Sequence, residues 1–83
     1  MQFRSVKNIR NDEVIKALGQ RVRDLRLERK LTMEKLAERS GIDDRQLSYI
    51  ELGQTDASLS TLYAISKGLD ISLSLLMDTE TLR

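Results

Sequence analysis

Apolar residues Val14, Ile15, Leu18, Val22 and Leu25 recur with a 3.6-residue period, so they predict one buried stripe on a long first helix. Asn11 or Asp12 is placed to cap its start, and Leu27 falls on the opposite, solvent-facing side. Lys30 stands where many helices end in glycine, which predicts a slightly strained exit. Thr32 then caps a second, short helix over 33–40, with Leu36 and Ala37 facing inward. Gly41 can adopt the left-handed conformation that ends it. Asp43 opens a third helix over about 44–52, and Gln46 three residues later completes a capping box. Leu47 and Ile50 turn that helix toward the core, and Gly53 closes it.

Residues 54–58 read as a loop, with Ser58 capping a fourth helix over 59–67. Leu62, Ile65 and Leu69 form its apolar edge, Tyr63 is assigned to the core, and Gly68 marks the end. The segment from 70 to 83 is ambiguous. Its alternation of Ile71, Leu73 and Leu75 with serines fits a strand, whereas Leu73, Leu76 and Met77 fit a helix capped by Ser72. The helix is the favoured reading. At the other end, residues 1–10 carry three cations and no acid and read as a loose basic arm, although Phe3, Val6 and Ile9 are spaced for packing. The folded domain is expected over 11–78, with 79–83 as a tail. There is no internal repeat and no low-complexity segment.

Eighty-three residues, 40% of them hydrophobic and 33% charged, describe one small globular domain. The absence of proline and the abundance of Leu, Glu, Lys and Arg predict an all-α fold. No cysteine is present, so there is no disulfide framework, which suits a reducing compartment. No histidine is present, which removes the commonest general base and metal ligand. No signal peptide and no apolar run of spanning length appear, so a soluble, cytoplasmic protein is expected. Net charge is +1, but residues 1–39 hold eleven Lys/Arg against six Asp/Glu, while residues 40–83 hold three against seven. That asymmetry points to one anion-seeking face and one solvated or partner-facing face.

The most informative window is 33–52. Ala37 allows two helices to cross closely, Gly41 permits the tight turn, and Ile42, Leu47 and Ile50 lock the pair onto a core. These positions specify a helix-turn-helix. The stretch LGQRVRDLRLERKLTMEKLAERSGIDDRQLSYIELGQTDASLSTLYAISKGLDISLSLL, residues 18–76, resembles the DNA-binding domains of the phage repressor and Cro type. These are also called the xenobiotic-response-element family, with a lambda-repressor-like fold. The resemblance implies a five-helix domain that binds DNA as a dimer and regulates transcription.

Position by position, the resemblance makes Asp44, Arg45 and Tyr49 candidates to face base edges, with Gln46 and Ser48 beside them. Thr32, Met33, Gln54 and Thr55 would approach the DNA backbone, and Arg26 would pair with Glu51 as a structural tie. An aspartate can accept from the amino group of cytosine, and an arginine can bond guanine twice. Two features depart from the family. Met33 stands where glutamine usually donates to a phosphate, and Leu52, Gln54 and Asp56 stand where relatives often carry cations. Phosphate contacts supply most salt-dependent affinity, so weaker or differently distributed binding is expected, with Arg4, Lys7 and Arg10 compensating if the arm reaches around the duplex.

Ile71, Leu73, Leu75, Leu76 and Met77 are more apolar groups than one small core readily uses, which predicts an isologous homodimer through this segment. Double-stranded DNA and a second copy of the chain are therefore the expected partners, and no cofactor or metal is expected. Two other readings compete: an antitoxin-type repressor that also binds a toxin, or a pure protein-interaction domain. An enzyme would need a carboxylate pair in a pocket, and the candidates Asp12/Glu13 and Asp43/Asp44 read as helix caps.

Overall fold

Each helix begins where a short polar side chain takes a backbone amide that the helix itself leaves free. In the computed structural model, which describes residues 9–83, five α-helices follow one another. They are α1 (Asp12–Glu28), α2 (Met33–Ser40), α3 (Asp44–Glu51), α4 (Leu59–Gly68) and α5 (Leu73–Leu76), and a 3-10 turn at Glu80–Leu82 lies beside α1. Asn11 accepts from the Val14 amide at 3.0 Å, Thr32 from Lys35 at 3.0 Å and Asp43 from Arg45 at 2.9 Å. Ser58 accepts from Thr61 at 3.1 Å and Ser72 from Leu75 at 3.0 Å. The ambiguous segment is thus helical, and its first turn is held by Ser72. The expected reciprocal bond from Gln46 is not made among the described residues; only the Asp43 half of the box forms.

Four helices end alike. An amide just past the last turn reaches back five residues, as in Leu31 to Arg26, Ile42 to Ala37, Gln54 to Tyr49 and Ile71 to Ser66. This exit requires one left-handed residue. Gly41 (φ 73°) supplies it after α2, but Lys30 (φ 56°) and Asp70 (φ 61°) supply it after α1 and α4. The strain expected at Lys30 is present. At the end of α4 the left-handed residue is Asp70, so Gly68 has a different task.

A left-handed L-residue costs roughly 1–2 kcal/mol, partly offset because glycine loses more entropy on folding. Lys30 is exposed, so Lys30→Gly should raise stability by about 0.5–1 kcal/mol. A urea midpoint that stays put or falls would show that this backbone is not under strain.

The core comprises Val22, Leu25, Leu36, Ala37, Leu47, Ile50, Leu62, Ile65, Leu69 and Leu76, drawn from all five helices and the turn after α4. Two backbone approaches shape it. At Gly19, in the middle of α1, an added Cβ would collide with the Ile50 carbonyl oxygen and sit 3.0 Å from that of Glu51, so α1 and α3 touch there without side chains between them. At Gly68 an added Cβ would meet Ser40 Oγ and lie 3.2 Å from Leu36 Cδ1, so α4 rides directly on α2. Gly68 is glycine because of this approach.

Two assignments to the core or surface are corrected. Tyr63 is 52% exposed. It sits one position beyond Leu62 and off the Leu62–Ile65–Leu69 edge, and the Lys67 ammonium stands 5.8 Å from its ring centroid. Leu76, expected at a dimer interface, is wholly buried in the monomer core. Leu75, next to it, is 43% exposed, while Ile71, Leu73 and Met77 are half-buried against the core. Of the expected arm, residues 1–8, with Phe3 and Val6, lie outside the described residues, and Ile9 is exposed rather than packed.

Candidate nucleic-acid interface

With Leu47 and Ile50 turned inward, the helical period of α3 sets Asp44, Arg45, Gln46 and Tyr49 on the exposed side, with Ser48 half-buried at its edge. Tyr49 is 45% exposed. This face carries an acid, a cation, an amide and a phenol, all able to bond base edges or phosphates. Asp43, at its head, also serves the helix. The Arg45 amide, then a hydrogen bond with Asp44, holds the Asp43 carboxyl below the ordinary carboxylate range. The lowering means that its contribution to stability is present at neutral pH and fades only as pH falls through and below that range.

The expected backbone contacts divide. Thr32 and Gln54 are exposed and Thr55 is half-buried. Met33 is half-buried, with its side chain packed against the core. Its apolar side chain is therefore occupied, and what this position can offer a phosphate is the free amide of the first helical turn.

A buried ion pair ties the end of α3 to α1. Arg26, near the end of α1, donates from Nε to Glu51 Oε2 at 2.7 Å and from Nη2 to Glu51 Oε1 at 2.9 Å. Its Nη1 donates to the Leu31 carbonyl oxygen at 3.0 Å, so all three edges of the guanidinium are used. The two side chains are 8% and 2% exposed. Glu51 raises the Arg26 pKa, against the effect of burial, so the cation is secured. The pair implied by the resemblance is thus present, with the two-pronged geometry that favours arginine over lysine.

Gly19 belongs with this site and was not singled out from the sequence. A glycine in the middle of a periodic apolar stripe was the available signal. Because α1 offers no side chain there, the last turn of α3 seats on its backbone, close enough for the Arg26–Glu51 pair to close. Arg21 of α1 and Arg29 at its C-terminal cap tie down the segments behind. Arg29 donates to the Leu69 carbonyl oxygen at 3.1 Å and Arg21 to that of Leu75 at 2.8 Å. Three of the eleven cations of the first half, Arg21, Arg26 and Arg29, are therefore engaged in structure. Among the described residues, no acidic or other side chains cluster in a way that could hold a metal ion, and no helix is long and apolar enough to cross a membrane.

Comparison with known proteins agrees with this geometry. A helix-turn-helix family model matches residues 22–76. The immunity repressor protein of Bacillus phage phi105 is 42% identical over 65 residues, covering 78% of this chain and 45% of the repressor. The HTH-type transcriptional regulator SinR of Bacillus subtilis is 37% identical over 62 residues, covering 74% of this chain and 56% of SinR. The chain thus spans about half the length of these curated relatives. Among solved structures, the restriction-modification controller C.AhdI of Aeromonas hydrophila superposes with a TM-score of 0.73 at 35% identity, over 80% of this chain and 98% of that one. The controller C.Esp1396I, solved as a tetramer with its natural 35 base-pair operator, superposes with a TM-score of 0.75 at 28% identity, over 78% and 86% of the two chains. With its fold and its matched residues in agreement, this chain is a member of the helix-turn-helix family.

Proposed function

We propose that this protein is a sequence-specific DNA-binding transcriptional regulator, a repressor in its simplest form, that reads the major groove with α3. The observation that carries this reading is the exposed row of Asp44, Arg45, Gln46 and Tyr49 on a helix clamped to α1 by a buried, bidentate ion pair. Such a helix is anchored and presents mixed donors and acceptors, as groove reading requires. The named relatives, an immunity repressor, a transcriptional regulator and two restriction-modification controllers, support it, one of the controllers having been solved on its operator. They lend no support to the toxin-binding alternative. The role places the protein in the cytoplasm with its DNA.

Selection from a random duplex pool, followed by Arg45→Ala, tests the reading. The preferred site should lose roughly 1–3 kcal/mol of affinity and the preference at one base pair should relax. Equal weakening of preferred and scrambled duplexes would make Arg45 a phosphate contact only.

A homodimer follows from the same reading, because one small module gains affinity by pairing on two half-sites. Leu75, with half-buried Ile71, Leu73 and Met77 around it, is the surface for it. A monomer by solution scattering at high micromolar concentration would overturn that pairing.

A further inference from the structure

The loop between α3 and α4, residues 52–58, contains no cation and one acid, Asp56, yet its exposed Gln54 and half-buried Thr55 are neutral donors beside the reading helix. Two cations from outside the loop stand next to it. Arg10, just before α1, donates from Nη2 to the Gln54 carbonyl oxygen at 3.5 Å, a contact that spans 44 residues of sequence. It also pairs with Asp12 at 2.8 Å, so part of its charge is offset. Lys16, one turn before Gly19, lies flat against Gly53. A Cβ built on that glycine would sit 2.7 Å from Lys16 Cγ and 3.0 Å from Lys16 Cα. The loop backbone therefore rests on the stem of Lys16, while the residue as a whole is exposed. Its ammonium forms no ion pair among the described residues.

We propose that Lys16 and Arg10, each against the α3–α4 loop, form a phosphate-binding site there, supplying from α1 and the residues just before it the cations that the loop lacks. The ligand class is a phosphodiester oxygen of duplex DNA, gripped by the Lys16 ammonium and the Arg10 guanidinium, with the Gln54 amide and Thr55 hydroxyl as neutral donors. Gly53 makes the arrangement possible. It has the left-handed φ of 72° that ends α3, and its missing side chain lets the loop settle on Lys16. A long aliphatic stem pinned against the backbone with a free charged head loses little further entropy when it meets a phosphate.

This proposal rests on the DNA-binding reading, and salt dependence separates the two. Log affinity falls with log salt by about 0.9 per phosphate neutralised on duplex DNA. Binding of a pool-selected duplex is measured from 50 to 200 mM salt for the wild-type chain, Lys16→Gln, Arg10→Gln and Lys67→Gln, whose cation lies over Tyr63 on α4. Lys16→Gln should lower the slope by about 0.9, so that its affinity loss over this range is roughly three to four times smaller than wild type. Arg10→Gln should lower it by less, because Asp12 already offsets that charge, and Lys67→Gln should leave it unchanged. Unaltered melting temperatures confirm that the exposed substitutions leave the fold intact. A wild-type slope retained by Lys16→Gln, or an equal reduction in Lys67→Gln, overturns this site while leaving the DNA-binding reading standing. Absence of any salt-dependent binding by the wild-type chain overturns both.

Discussion

Glu51→Ala is expected to destabilise the protein by roughly 3–5 kcal/mol, because it leaves the Arg26 guanidinium buried without its counter-charge. The loss is large for two reasons. Both partners are nearly out of solvent, and two short hydrogen bonds disappear together. Domains of this size have total stabilities of roughly 5–15 kcal/mol, so the variant should be partly or wholly unfolded near physiological temperature. The measurement is a urea titration with wild type, compared at equal slope so that the midpoint reports stability. A second variant isolates the cause. Removing both charges, as in Arg26→Met with Glu51→Leu, should recover much of the lost stability, since a buried pair is often replaceable by apolar groups of similar volume. It should not recover the angle of α3, so its affinity for a selected duplex should stay low. If Glu51→Ala loses less than about 1 kcal/mol, the pair is not the clamp described above.

Gly19→Ala should destabilise by about 1–3 kcal/mol, although helix propensity alone predicts a gain of about 1 kcal/mol. The sign reverses because the new Cβ would meet the Ile50 carbonyl oxygen, and a second backbone oxygen, that of Glu51, is only 3.0 Å away. Neither atom can rotate aside as a side chain would, so α3 must lift from α1. That movement also stretches the Arg26–Glu51 pair, which couples stability to the placement of the reading helix. A peptide spanning α1 supplies the control, because there the same change should increase helicity by circular dichroism. A full-length variant at least as stable as wild type would mean that α1 and α3 can separate without penalty.

The residues differ in how far their roles could be read from the chain alone. Thr32, Asp43, Ser58 and Ser72 were legible as caps because each bonds an amide only two or three residues ahead, and such contacts are written in local order. Arg45 and Tyr49 were legible as outward-facing because Leu47 and Ile50 fix the helical phase. Tyr63 was misassigned, since a large aromatic one position from an apolar edge looks like core, yet the helical phase set by Leu62 and Ile65 leaves it 52% exposed. Leu75 and Leu76 look alike as a pair; only the packing of α5 buries one and exposes the other. Gly68 read as a helix end because glycine commonly ends helices, but the left-handed φ fell two residues later, on Asp70.

The sequence by itself determined the first four helices, their caps, the tight turn at Gly41 and the face that α3 turns outward. Each depends on residues within about one helical turn of one another, where spacing dictates contact. The tertiary structure decided what joins distant segments: the two-pronged geometry of the Arg26–Glu51 pair, which the sequence offered only through the family resemblance, the seats at Gly19 and Gly68, and the reach of Arg10 to Gln54. Those contacts depend on how two helices cross, and a crossing is set by the shapes of both surfaces at once.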